Sequence, residues 1–104
     1  MIKVIAFVKK RSDLTREEFV RRWVEDHVRL SGALGMSPYR INVARKPQDD
    51  GTTPPYDGTA KMYWPDLESF RSALASPEGA LAGADVERFA ASVELMVVDE
   101  WEVQ

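Results

Sequence analysis

Four strand-like segments and two helical stretches in the order βαββαβ predict an α+β domain. This is the ferredoxin-like arrangement, a four-stranded antiparallel sheet with both helices on one face. Three observations carry the prediction. Runs rich in β-branched and aromatic residues occupy residues 2–9, 39–45, 59–64 and 93–103. Capping residues at Thr15 and Asp66 each precede apolar residues at helical spacing. No internal repeat or low-complexity tract divides the 104 residues, so one domain spans positions 1–104.

The first strand, IKVIAFVK, sets Ile2, Val4, Ala6 and Val8 on one face with Ile5 and Phe7 on the other. SDLTREEF then opens a helix: Thr15 is the N-cap, Glu18 completes a capping box, and Glu17 adds negative charge to the first turn. The helix is expected from about residue 16 to about residue 34, closing near Gly35. In YRINVAR, Tyr39, Ile41 and Val43 share a face, and Asn42 points the other way. Residues 46–58, KPQDDGTTPPYDG, form a loop long enough to be a lid or a solvated connection. The third strand, TAKMYW, pairs Met62 with Trp64 on one face and Lys61 with Tyr63 on the other. Asp66 caps a second helix carrying Leu67, Phe70 and Leu74. Ser76-Pro77-Glu78 is a fresh cap before an irregular helical region reaching Phe89. VELMVVDEWEV is the last strand.

A sheet with one wet face alternates apolar and polar residues. The first and last strands are apolar on both faces, and helices cover only one. The economical cover for the second is another copy of the chain, so a homodimer packed sheet to sheet is expected.

Composition removes several function classes. A 44% hydrophobic and 30% charged chain is that of a folded domain. A net charge of −3 with pI near 5.1 argues against nucleic acid as a partner, and Lys9-Lys10-Arg11 reads as a solvated strand end. There is no cysteine, hence no disulfide, thiolate metal site or thiol nucleophile. Apolar runs fall far short of the roughly 20 residues that cross a bilayer, and no signal-peptide pattern follows Met1. The expected location is cytoplasmic, with no membrane partner.

The single histidine lies in FVRRWVEDHVRL. At about 100° per residue, His27 shares an apolar stripe with Phe19, Val20, Trp23, Val24 and Leu30. One reading is a core histidine bonded to a backbone carbonyl and kept neutral by burial. The other is a general acid/base at the bottom of a pocket. One histidine without cysteine offers too few ligands for a usual zinc site, so no metal is expected. Asp26, adjacent in sequence, diverges too far around the helix to orient the ring. Tyr39 is either a core aromatic or a phenol donating to a substrate oxygen. Trp23, Met62 and Trp64 are either ordinary core or the walls of a flat apolar site.

The spacing F-x-x-x-W-x-x-x-H of Phe19, Trp23 and His27 is followed by Pro38, Tyr39 and Asn42. Next come Tyr56-Asp57-Gly58, Trp64-Pro65-Asp66-Leu67 and Ser76-Pro77-Glu78-Gly79. In this order the motifs resemble the EthD family of dimeric α+β barrel proteins across essentially the whole chain. The family is similar to methylmuconolactone isomerases and to small cyclases, dehydratases and decarboxylases of polyketide or aromatic metabolism. The resemblance implies proton transfer without a cofactor, in a pocket between sheet and helices, with His27 as the catalytic residue. It also brings Asn42 and Tyr56 into consideration as substrate-binding residues. The isomerases' third-strand cysteine is missing from the matching region, Lys61 to Tyr63. Any chemistry would then rest on His27 with hydroxyl, amide or carboxylate help, from Tyr39 or from water and not from a thiol.

Three functions follow. The first is a cofactor-independent lyase, isomerase or cyclase acting on a small aromatic, lactone or polyketide-like substrate. The second is a non-catalytic binding or accessory protein for a small hydrophobic metabolite. The third is a haem-binding or oxygenase-type barrel.

Overall fold

A computed structural model describes residues 1–104. Strand β1 (Ile2–Lys10) leads to helix α1 over residues 16–31, then β2 (Tyr39–Val43), β3 (Gly58–Trp64), α2 (Leu67–Ala75), α3 (Pro77–Val86) and β4 (Ala90–Val98). The antiparallel sheet has the order β2-β3-β1-β4. This is the ferredoxin-like α+β fold, with the helices on one side.

The local signals act as their chemistry dictates. Thr15 Oγ1 accepts the Glu18 N–H at 3.1 Å, and Glu18 Oε1 accepts the Thr15 N–H at 3.0 Å. Asp66 caps α2 by accepting the Ser69 N–H at 2.7 Å. Ser76 Oγ accepts the Gly79 N–H at 3.0 Å, with Pro77 opening α3. The N-terminal N–H groups of a helix lack intrahelical partners, and these side chains supply them.

Three expectations need correction. Residues 77–86 form a regular helix in place of an irregular region, because the Ser76 cap and Pro77 start it cleanly. The last strand runs over Ala90–Val98 and not 93–103. Its pairing begins across a bulge at Lys10 and ends where Val98 meets Lys3, so the residues beyond lack a ladder partner. Instead, Glu100 accepts hydrogen bonds from Lys3 Nζ and the Tyr63 hydroxyl. Finally, α1 is not uniformly α-helical. It consists of α-helical Arg16–Val20, a π-helical stretch Arg21–His27 and α-helical Val28–Ser31, closed by a 3₁₀ turn Gly32–Leu34 and Gly35 at φ +85°.

Side chains on the helix side of the sheet form two apolar clusters. One gathers Phe19, Trp23 and Phe89 over Val8, Ala6 and Ala60; the other joins Val4, Met36, Trp64 and Phe70. Tyr39 and Met62 touch both. On the opposite face, Ile5 and Phe7 are half-buried, and Met96, the register partner of Ile5, is 48% exposed. No helix is long and apolar enough to cross a membrane.

Candidate functional site

The π-helical stretch decides which side chains α1 turns inward. In an α-helix, positions four apart precess by about 40°. The i→i+5 bonding of a π-helix packs more residues into each turn, so each residue turns through less than the α-helical 100° and positions four apart come closer to one full turn. Phe19, Trp23, His27 and Ser31 are the buried residues of α1, at every fourth position. Leu30, expected in the stripe, is only half-buried, and Val24 is 39% exposed. Such stretches recur at functional sites, and this one ends at His27.

His27 is 6% exposed, and its Nδ1 lies 3.0 Å from Asp85 Oδ2. Phe89 presses edge-on against the imidazole at 5.1 Å and stacks on Trp23 at 5.8 Å. Arg88 Nη1 donates to the other oxygen of Asp85 at 3.0 Å. Desolvation by itself would raise the Asp85 pKa; the bonds from Arg88 and His27 outweigh it and hold the carboxyl below its usual range. An ionised carboxylate only accepts hydrogen bonds, so the proton of a neutral His27 sits on Nδ1. That leaves Nε2 with a lone pair. No enclosed side-chain polar atom lacks a partner and Nε2 has none within the protein, so Nε2 is not fully sealed from solvent.

A cavity of about 180 Å³ lies between sheet and helices, where the two clusters meet. His27 and Ser31 line it, together with Trp23, Tyr39, Met62 and Trp64. The volume comes from small residues: Ala6 and Ala60, register partners at the centre of the sheet, form the floor, and Gly79, Ala82 and Gly83 line the α3 side. Larger side chains there would close it. The Tyr39 hydroxyl pairs with Ser31 Oγ at 2.9 Å, and either can donate. Ser31 has a single proton, which goes either to the His27 carbonyl oxygen at 3.3 Å or to Tyr39, and in the second arrangement the phenolic proton is free for a ligand. Burial raises the Tyr39 pKa, opposed by the Ser31 bond, so the phenol keeps its proton near neutral pH. A lone-pair nitrogen and a phenolic donor thus border one apolar space, where electrostatic effects are strong.

The structure brings together His27, Tyr39, Trp23, Met62 and Trp64, and it separates two other residues from them. Asn42 alternates to the far face of β2 and bonds Thr59 Oγ1 at 3.4 Å, outside the cavity. Tyr56 packs on Phe7 at 5.3 Å and donates to Glu94 on that same far face, so it does not form a lid over the site. Asp85, Phe89 and Ser31 were missed. Ser31 continues the every-fourth-residue series from Phe19 and was detectable in principle. Asp85 carries no local mark that separates it from the chain's other acidic residues. No group of three or more His, Asp and Glu side chains converges in a way that could hold a metal ion.

Fold and site define a ferredoxin-like α+β domain enclosing an apolar cavity, with one histidine–aspartate pair at its wall. The EthD domain model matches residues 11–92, and the chain belongs to the EthD domain family. Crystal structures similar to it include the following three. An ethyl tert-butyl ether D (EthD) family protein from Bacillus halodurans is 24% identical, with 97% of this chain and 99% of that chain covered and a TM-score of 0.80. A dimeric protein of unknown function and ferredoxin-like fold from Bacteroides fragilis is 17% identical, with 95% of each chain covered and a TM-score of 0.70. SnoaB, a cofactor-independent oxygenase from Streptomyces nogalater, is 13% identical, with 98% and 94% covered and a TM-score of 0.69. No curated protein matches the sequence.

Proposed function

We propose that this chain is a cofactor-independent enzyme that moves a proton on a small apolar substrate, as a lyase, isomerase or cyclase. The observation that carries this reading is the Asp85–His27 pair, with Nε2 open to an otherwise apolar cavity. In the proposed reaction Nε2 takes a proton from carbon next to a carbonyl. The electron pair left behind moves onto the carbonyl oxygen, which the Tyr39 phenol stabilises by donating a hydrogen bond. Asp85 steadies the imidazolium that forms. Returning the proton to another atom isomerises the substrate; expelling a leaving group instead makes the reaction an elimination. Trp23, Met62 and Trp64 hold the substrate's apolar body. A protein described as a cofactor-independent oxygenase shares this fold, which supports small-molecule chemistry without a cofactor; the proton transfer itself rests on the site geometry.

The active species is proposed to be a homodimer joined through the sheet face that the helices leave open. The half-buried Ile5 and Phe7 and the exposed Met96 on that face support it, as does the dimeric state stated for the Bacteroides fragilis relative. The test is solvent deuterium exchange at the α-carbon of small lactones and aryl ketones, followed by NMR, with product formation monitored alongside. His27→Gln is expected to lower the rate by about 10² to 10⁴ while the fold persists. Undiminished exchange in that variant, or ligand retention with no exchange in the wild type, would leave a binding protein.

A further inference from the structure

We propose that the cavity selects an uncharged, single-ring ligand and that Gly83 keeps its mouth open; this rests on reading the cavity as the substrate site. Its volume of about 180 Å³ is only slightly larger than the ~150 Å³ apolar cavity that admits benzene in another protein. One ring with a small substituent fills the space between sheet and helices, and a larger ligand would protrude through the mouth.

Charge narrows the choice further. No lysine or arginine lines the cavity; its polar side chains are His27, Ser31 and Tyr39, with the indole N–H groups of Trp23 and Trp64. Burial depresses the His27 pKa against the opposing pull of Asp85, so the imidazole stays neutral near pH 7. A carboxylate placed here would lose its hydration, meet no cation and lie near the Asp85 anion behind the ring. An uncharged carbonyl or phenol finds both a donor in Tyr39 and an acceptor in Nε2.

Gly83 has no structural reason to be glycine. At Gly79 a Cβ would run into the backbone carbonyls of Ala73 and Leu74, so the close approach of α2 and α3 excludes a side chain. At Gly83 a Cβ meets nothing within 4 Å, and the backbone is not left-handed. Glycine inside a helix is less favourable than alanine. Yet Gly83 is exposed and lines the cavity, as do Leu74 and Leu95 at 46% and 50% exposure. Residues that are both lining and exposed mark where the cavity meets solvent, and a bare backbone there leaves the widest opening.

The experiment titrates the full-length chain with p-cresol, 4-methylbenzoate and the tricyclic anthrone at about pH 7.5, where only the benzoate is an anion. Trp23 and Trp64 border the cavity and report binding by fluorescence, with calorimetry as a check. The expected result is binding of p-cresol, about tenfold or weaker binding of 4-methylbenzoate, and none of anthrone. Gly83→Leu should weaken p-cresol by about tenfold or more with an unchanged or raised Tm. Benzoate binding as tight as cresol, anthrone binding, binding of no probe, or cresol binding indifferent to Gly83→Leu would each overturn the proposal. Selective cresol binding in a chain whose His27→Gln variant loses no proton exchange would refute the catalytic reading alone.

Discussion

Two influences on the His27 proton oppose each other. Burial lowers the pKa from its ordinary 6.5, and the hydrogen bond and charge of Asp85 raise it, with burial prevailing. A base must be neutral to act, so the acid limb of kcat/KM is expected below pH 6.5. Asp85→Asn removes the influence that raises the pKa, so the limb should move to still lower pH. It also loosens the Nδ1–H tautomer, and kcat should fall by about 10² or more. A pH–rate profile of the two proteins checks both effects. If Asp85 only stabilised the fold, the variant would lower Tm and leave the profile where it was. Much of this site was legible residue by residue. Strand alternation grouped Tyr39 with Ile41 and Val43 and Met62 with Trp64, and helical spacing set Trp23 and His27 on the apolar stripe that faces the core. Asn42 failed by the same alternation that admits Tyr39, since neighbours in a strand face opposite ways. Asp85 was illegible because it lies 58 positions from His27 and meets it only through packing.

Among the elements, α1 shows where periodic reading works and where it stops. Its beginning is local chemistry, since a side-chain oxygen three residues from a bare N–H can satisfy it in any context. Thr15→Ala removes the Oγ1 that accepts from Glu18. It is expected to cost about 1 kcal/mol, a fall in Tm of about 4–8 °C for a domain of this size, read by thermal unfolding. Activity measured well below Tm should be unaffected. The π-helical middle has no such local signature. The apolar stripe drawn at α-helical pitch turned Val24 inward and passed over Ser31, while the structure reverses the two. The stretch Arg21–His27 lies within a helix whose buried residues are Phe19, Trp23, His27 and Ser31, a spacing that the α-helical pitch read from the sequence did not give.

For the whole molecule, the helices cover one sheet face and leave Ile5, Phe7 and Met96 on the other. The proposed dimer buries them. Met96 is largely open to solvent in the single chain, so Met96→Glu should leave the protomer folded and shift a dimer to monomer in sedimentation at micromolar concentration, by putting a charge in an apolar interface. A wild type that sediments as a monomer across that range would refute the dimer.

The sequence alone determined the order of elements, their caps and which residues of each strand share a face, because these depend on neighbours within a few residues. It also carried the family resemblance and the choice of His27, the chain's one imidazole. Only the tertiary structure decided that Asp85 and Arg88 stand behind that imidazole, that Ser31 joins Tyr39, and that Ala6 and Ala60 pair beneath a cavity. Those facts depend on distances between segments far apart in the chain, which no local pattern encodes, and on empty space, which belongs to no residue.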